Sequence, residues 1–92
     1  MSSAKPWRYS TVASLELYGT ASCPYTQELR ESLEWQGREF IEYDVEADPA
    51  ALRRMLETTA GQRTVPVLVE DGNVVQIGWQ GRGCIVAAGP AK

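Results

Sequence analysis

The segment Thr20-Ala21-Ser22-Cys23-Pro24-Tyr25-Thr26 joins two patterns of different period. Before it, Leu15, Leu17 and Tyr18 form a brief apolar run closed by Gly19, which predicts a strand over residues 14–18. After it, Tyr25, Leu29 and Leu33 recur one turn apart. Glu28, Arg30, Glu31 and Glu34 occupy the other faces, which predicts an amphipathic helix of about three to four turns stopped at Gly37. Ser22 or Cys23 suits the N-cap, and Pro24 suits the first turn, where its missing N–H costs nothing. A cysteine therefore sits where a loop becomes a helix.

That position has chemical meaning. The thiolate is the reactive form of cysteine, and it is scarce at neutral pH. The first turn of a helix offers unpaired N–H groups and the positive end of the macrodipole, both of which stabilise an anion. The chain has no histidine, so no imidazole base is at hand. Cys23 reads as a nucleophile activated by the helix, against the plainer alternative of an inert core cysteine. Cys84, in a glycine-rich segment, has two open readings: it packs under Ile85 and Val86, or it meets Cys23.

The following residues repeat the strand–helix alternation. Glu39 to Val45 predicts a second strand, with Ile41, Tyr43 and Val45 on one face. Asp48-Pro49 is an N-cap followed by proline at the first helical position. Leu52, Met55, Leu56 and Thr59 then keep helical spacing up to Gly61. Val65-Pro66-Val67-Leu68-Val69 predicts a strand with proline at its start, where proline is tolerated. Asp71-Gly72 predicts a tight hairpin turn into Val74–Ile77. Gly78, Gly81 and Gly83 loosen the chain, and residues 85–88 suggest a short last helix. The order β-α-β-α-β-β makes an α/β fold with a mixed four-stranded sheet. Residues 1–13 read as a flexible lead-in, and residues 14–92 as one domain.

Composition narrows the function. The 92 residues carry a net charge of −3, with scattered basic residues, which speaks against nucleic acid. No apolar run is long enough to span a membrane, and the first residues lack a signal-peptide core. A cytoplasmic monomer is the expectation. Two cysteines without histidine nearly exclude a structural zinc site.

Cys23-Pro24-Tyr25-Thr26 resembles the Cys-Pro-Tyr-Cys site of glutaredoxins, in the thioredoxin superfamily, with the second cysteine replaced. Thr64-Val65-Pro66 resembles that family's Thr-Val-Pro, whose proline is cis, and the element order agrees from residue 14 to about 80. The resemblance implies a thioredoxin-like fold and a glutathione-dependent thiol–disulfide oxidoreductase. Cys23 would be the attacking thiol, and Tyr25 would flank bound glutathione. Val65 would pair its backbone with the glutathione cysteine, Thr64 would belong to the same segment, and Pro66 would face the thiol. Arg63 and Arg82 are candidate partners for a carboxylate.

The departures carry information too. Thr26 removes the resolving cysteine from the motif, and Thr20 stands where many members have a lysine. The glycine-rich motif that holds the γ-glutamyl end is replaced by Gly78-Trp79-Gln80-Gly81-Arg82-Gly83-Cys84, and the usual C-terminal helix is short or absent. With no second motif thiol, two cycles remain: a small thiol resolves the Cys23 adduct, or Cys84 does so through a Cys23–Cys84 bridge. Rival classes are glutathione-assisted binding of a [2Fe–2S] cluster and a redox-inert adaptor. Some glutaredoxin-like proteins carry selenocysteine at the motif's first position, so residue 23 has that reading as well.

Overall fold

The computed structural model describes residues 15–86. Along the chain come β1 (Leu15–Gly19), α1 (Pro24–Trp35), β2 (Ile41–Asp44) and α2 (Pro49–Thr58). Then follow β3 (Thr64–Val65), β4 (Val67–Glu70), β5 (Asn73–Ile77) and β6 (Cys84–Ile85). The main sheet has four strands in the order β2-β1-β4-β5, and β3 pairs with β6 in a separate two-stranded sheet. β2 lies parallel to β1, whereas β1–β4 and β4–β5 are antiparallel. This is the mixed α/β sheet that the element order implies.

β1 is central and is apolar on both faces for that reason. Leu15 and Leu17 pack with Leu29 and Leu33 of α1 and with Leu68 of β4. Tyr18 points the other way, into a cluster with Val45, Val67, Val69 and Ala51, Leu52 and Met55 of α2. One helix thus covers each face. Met55 is fully buried, so truncation to alanine costs about 2–5 kcal/mol.

Local chemistry sets the element ends. Asp48 caps α2, its carboxylate accepting from the N–H groups of Ala50 at 3.1 Å and Ala51 at 3.2 Å. The β4–β5 turn has positive φ at Asp71 (53°) and Gly72 (81°), the pairing a two-residue hairpin needs.

Three expectations need correction or restriction. Residues 65–69 are not one strand. Pro66 has no N–H to give a ladder, and the chain divides there, so that Thr64–Val65 joins β6 and Val67–Glu70 joins the main sheet. Ile85 does not begin a helix; it belongs to β6, held by pairing with Thr64. The lead-in at residues 1–13 and any helix after Val86 lie outside the described residues. Among the described residues, no helix is long and apolar enough to cross a membrane.

Candidate active site: a helix-cap cysteine bridged to a short strand

Cys23 is the N-cap of α1, with extended backbone (φ −87°, ψ 117°). Its N–H donates to the Thr20 carbonyl at 3.3 Å, and its carbonyl accepts from Gln27 N–H at 3.2 Å. Its side chain makes no capping hydrogen bond. Pro24 has no N–H, so the first-turn donors nearest the sulfur are the amides of Tyr25 and Thr26. The cysteine is only 2% exposed and belongs to the buried cluster of Tyr18, Val45, Met55 and Val65, with half-buried Tyr25 packed against it.

Thr26 is fully buried, and its Oγ1 has no hydrogen-bond partner. Its side chain lies against Gly19, where a Cβ would come within 2.6 Å of Oγ1. The strand and the helix therefore approach closely just below the cysteine, and glycine permits it. Thr20, also buried, brings no charge to the site.

Cys84 is placed by strand pairing. It lies opposite Val65, with Ile85 opposite Thr64, and Val86 N–H donates to the Arg63 carbonyl at 2.8 Å. The glycine-rich segment before it is not loose. Gly78 N–H donates to the Pro66 carbonyl at 2.7 Å, and Trp79 and Arg82 exchange two backbone hydrogen bonds at 2.6 and 2.9 Å. Gln80 (φ 53°) and Gly81 (φ 81°) form the tight turn between them. Cys23 and Cys84 are joined by a disulfide across 61 residues, with Cα atoms 6.1 Å apart, inside the range a bridge requires. The alternative of a Cys84 that merely packs under Ile85 and Val86 is not what the structure contains: Ile85 is 72% exposed, while Val86 is buried.

Of the other sequence candidates, Thr64 and Val65 pair with the strand that carries Cys84, and Tyr25 packs against the cluster that holds Cys23. The Val65–Pro66 peptide bond is cis. Val65 is buried, and the backbone edge that the resemblance assigned to glutathione is taken by Cys84 of the same chain. Arg63 is half-buried with its Nη1 enclosed and unpartnered. Arg82 is exposed at the Trp79–Arg82 turn. Among the described residues, no group of three or more histidine, cysteine or acidic side chains is arranged to hold a metal.

Sequence reasoning missed Gly83. A Cβ there would lie 2.6 Å from Thr64 Cγ2 and 2.7 Å from the Val65 carbonyl oxygen, so a side chain would push β6 off β3. The available signal was glycine directly before Cys84-Ile85-Val86, a short β-favouring run. The Tyr18 environment was also missed. Tyr18 stacks on Tyr43 at 5.1 Å, donates to Glu16 Oε1 at 2.8 Å and accepts from Arg54 Nε at 3.4 Å. Burial raises its pKa, against the lowering hydrogen bond from Arg54.

Comparison with known proteins agrees with this geometry. Residues 15–75 match the glutaredoxin family model. A probable glutaredoxin of Synechocystis sp. is 35% identical over 63 residues, covering 67% of this chain and 58% of that protein. The chain thus spans less than two thirds of that relative. An uncharacterized glutaredoxin-like 8.6 kDa protein from the rubredoxin operon of Clostridium pasteurianum is 30% identical over 61 residues, covering 66% of this chain and 80% of the relative. Among solved structures, the thioredoxin-like protein BC3987 superposes with a TM-score of 0.65 at 33% identity, covering 72% of this chain and 88% of that one. Cys84 and β6 lie beyond the residues the family model matches. With a matched core, a cysteine at the head of α1 and a cis proline before β4, the chain belongs to the glutaredoxin family and has its thioredoxin-like fold.

Proposed function

We propose that this protein is a thiol–disulfide oxidoreductase in which Cys23 and Cys84 form the redox pair and glutathione or another small thiol is the electron donor. The observation that carries the reading is the disulfide between the N-cap of α1 and the strand paired to the residue before the cis proline.

In the reduced protein, Cys23 is the thiolate to expect. As an N-cap it can accept hydrogen bonds from the first-turn amides, a role its sulfur does not fill in the bridge. Cys23–S⁻ attacks a substrate R–S–S–R′, forms Cys23–S–S–R and releases R′–S⁻. Cys84 thiolate then attacks the Cys23 sulfur, releases R–S⁻ and closes the bridge. Thr26 takes no part in the electron transfer. Two small thiols restore the dithiol. We read Tyr25, the Thr64-Val65-Pro66 segment, Arg63 and Arg82 as the residues that meet the incoming thiol compound; what supports this is the pairing of Val65 with Cys84 and the Nη1 of Arg63, left without a partner and suited to an acidic one. A reducing, cytoplasmic setting and a monomeric protein fit this cycle. The bridge favours the dithiol cycle over cluster binding, because a cluster ligand has to be a free thiolate.

The test is glutathione-dependent disulfide reduction by wild type, Cys23→Ser and Cys84→Ser. Cys23→Ser should abolish turnover. Cys84→Ser should slow it and accumulate a glutathione adduct on Cys23. Wild-type rates in Cys23→Ser would refute thiol catalysis at this site and leave the adaptor reading. Wild-type rates in Cys84→Ser would remove Cys84 from the cycle.

A further inference from the structure

We infer that the bridge is opened at Cys84: the reducing thiol attacks Cys84 Sγ, and Cys23 is the leaving group. This rests on the proposed Cys23–Cys84 redox pair and adds the direction in which the pair is reduced. The nucleophile of the first half-cycle is then the leaving group of the second.

Two independent observations point the same way. The first is access, which decides which sulfur of a disulfide is attacked. An incoming thiolate approaches in line with the S–S bond. Cys23 is 2% exposed and belongs to the buried apolar cluster that includes Tyr18, Val45, Met55 and Val65. The Val65 edge, the nearest backbone on which an extended thiol peptide could dock beside Cys23, is already occupied by Cys84. Cys84 itself is partly exposed and sits in a two-residue strand whose neighbours Arg82 and Ile85 are exposed. Among the described residues, β6 pairs with β3 alone, so its other edge carries no strand.

The second is the leaving group. Exchange is faster when the departing thiol has the lower pKa. A thiolate released at Cys23 falls back onto the N-cap of α1 and meets first-turn amides. A thiolate released at Cys84 is in a short strand, and among the described residues no helix begins there to receive it. The accessible sulfur and the better leaving sulfur are therefore different atoms, arranged in the right order for attack from solvent.

The step balances. R–S⁻ plus Cys84–S–S–Cys23 gives R–S–S–Cys84 plus Cys23–S⁻. A second R–S⁻ attacks the R sulfur of that adduct, giving R–S–S–R and Cys84–S⁻, which takes a proton from water. The oxidised product is the small disulfide, and both protein sulfurs end reduced.

The experiment is a pulse on wild-type protein whose intact mass shows the bridge. Bridged protein is mixed with glutathione for a series of short times, and each pulse is stopped with excess N-ethylmaleimide, which alkylates the remaining glutathione and captures the freed protein sulfur. Cleavage after Arg30 and Arg82 separates the two cysteines for mass analysis. Extrapolated to zero time, glutathione on Cys84 with maleimide on Cys23 should exceed the opposite product by about ten to one. The opposite product in excess, or an even mixture, overturns the inference while leaving the redox pair intact. Oxidised protein that never shows the bridge refutes the redox pair itself, and the inference with it.

Discussion

Val65 and Cys84 face each other across a two-residue antiparallel ladder, and the disulfide ties that ladder to the head of α1. The residue before the cis proline thus presents its backbone to a cysteine of its own chain. A cysteine on an extended segment, bonded to Cys23, has the form of a substrate intermediate held in cis. Because the pairing is so short, its geometry depends on how closely β6 can approach β3.

Gly83 controls that approach. Alanine there would set a methyl 2.7 Å from the Val65 carbonyl oxygen, which belongs to the backbone and cannot swing aside. Gly83→Ala should therefore disfavour the bridge. Overpacking typically costs about 1–3 kcal/mol, and each 1.4 kcal/mol is tenfold, so the closing equilibrium in a glutathione redox buffer should fall about tenfold or more. Melting of the reduced protein should barely change, since β6 lies outside the main sheet. An unchanged closing equilibrium would show that β6 shifts freely.

Gly19 and Thr26 should behave as a coupled pair. A Cβ at Gly19 would meet the buried Thr26 side chain, with Oγ1 2.6 Å away. Gly19→Ala should destabilise the oxidised protein by about 1–3 kcal/mol in a urea melt. In a Thr26→Ala background the same change should cost less, because the two nearest obstructing atoms, Cγ2 and Oγ1, are gone and only Cβ at 3.0 Å remains. Equal costs in both backgrounds would rule out the close approach of β1 and α1 as the reason for glycine.

Much of the main sheet was legible because its signals are local. Leu29 and Leu33 report the buried stripe of α1, Asp48-Pro49 reports the start of α2, and Asp71-Gly72 reports the β4–β5 turn. Each acts within a few residues of where it is read. The β3–β6 pair carries no such signal. Two residues are too few for periodicity, and its partners, far apart in sequence, are joined through the Gln80-Gly81 turn and a disulfide. Cys23 could be read from its place before Pro24, whereas the role of Gly83 depends on atoms of Thr64 and Val65 that no local pattern reveals. Cys84 stood between these cases: its partner could be named as an option, but its backbone pairing could not.

Tyr18 predicts the alkaline limit of the oxidised protein. Burial favours its neutral phenol, so the folded chain holds this proton more tightly than the unfolded chain does. The stabilising contribution is complete below the ordinary tyrosine value of 10.0 and is lost as pH rises through the higher folded value. Stability measured by urea melts should thus decline in that alkaline range, and Tyr18→Phe should flatten the decline. In an ultraviolet titration of the folded protein, one of the four tyrosines should ionise later than an unburied tyrosine and disappear in Tyr18→Phe. An identical decline in the variant would remove Tyr18 as its cause.

Arg63 offers a test of thiol preference. Its carbonyl receives Val86 N–H beside the bridge, while its guanidinium is half-buried and keeps Nη1 unpartnered. A donor left in that condition gains when an anionic group arrives, and a charge-assisted hydrogen bond contributes about 1.5–3 kcal/mol. Methionine keeps most of the stem and removes the donor. Arg63→Met should slow bridge reduction by glutathione, which carries two carboxylates, about fivefold, a smaller loss than the full hydrogen bond because solvent screens part of it. Reduction by neutral 2-mercaptoethanol should be nearly unchanged. The discrimination between the two thiols should shrink as salt is added to wild type, and should show little salt dependence in the variant. Equal slowing with both thiols would instead mark Arg63 as a support for the β3–β6 ladder, since a loosened ladder would alter access to Cys84 for any attacking thiol.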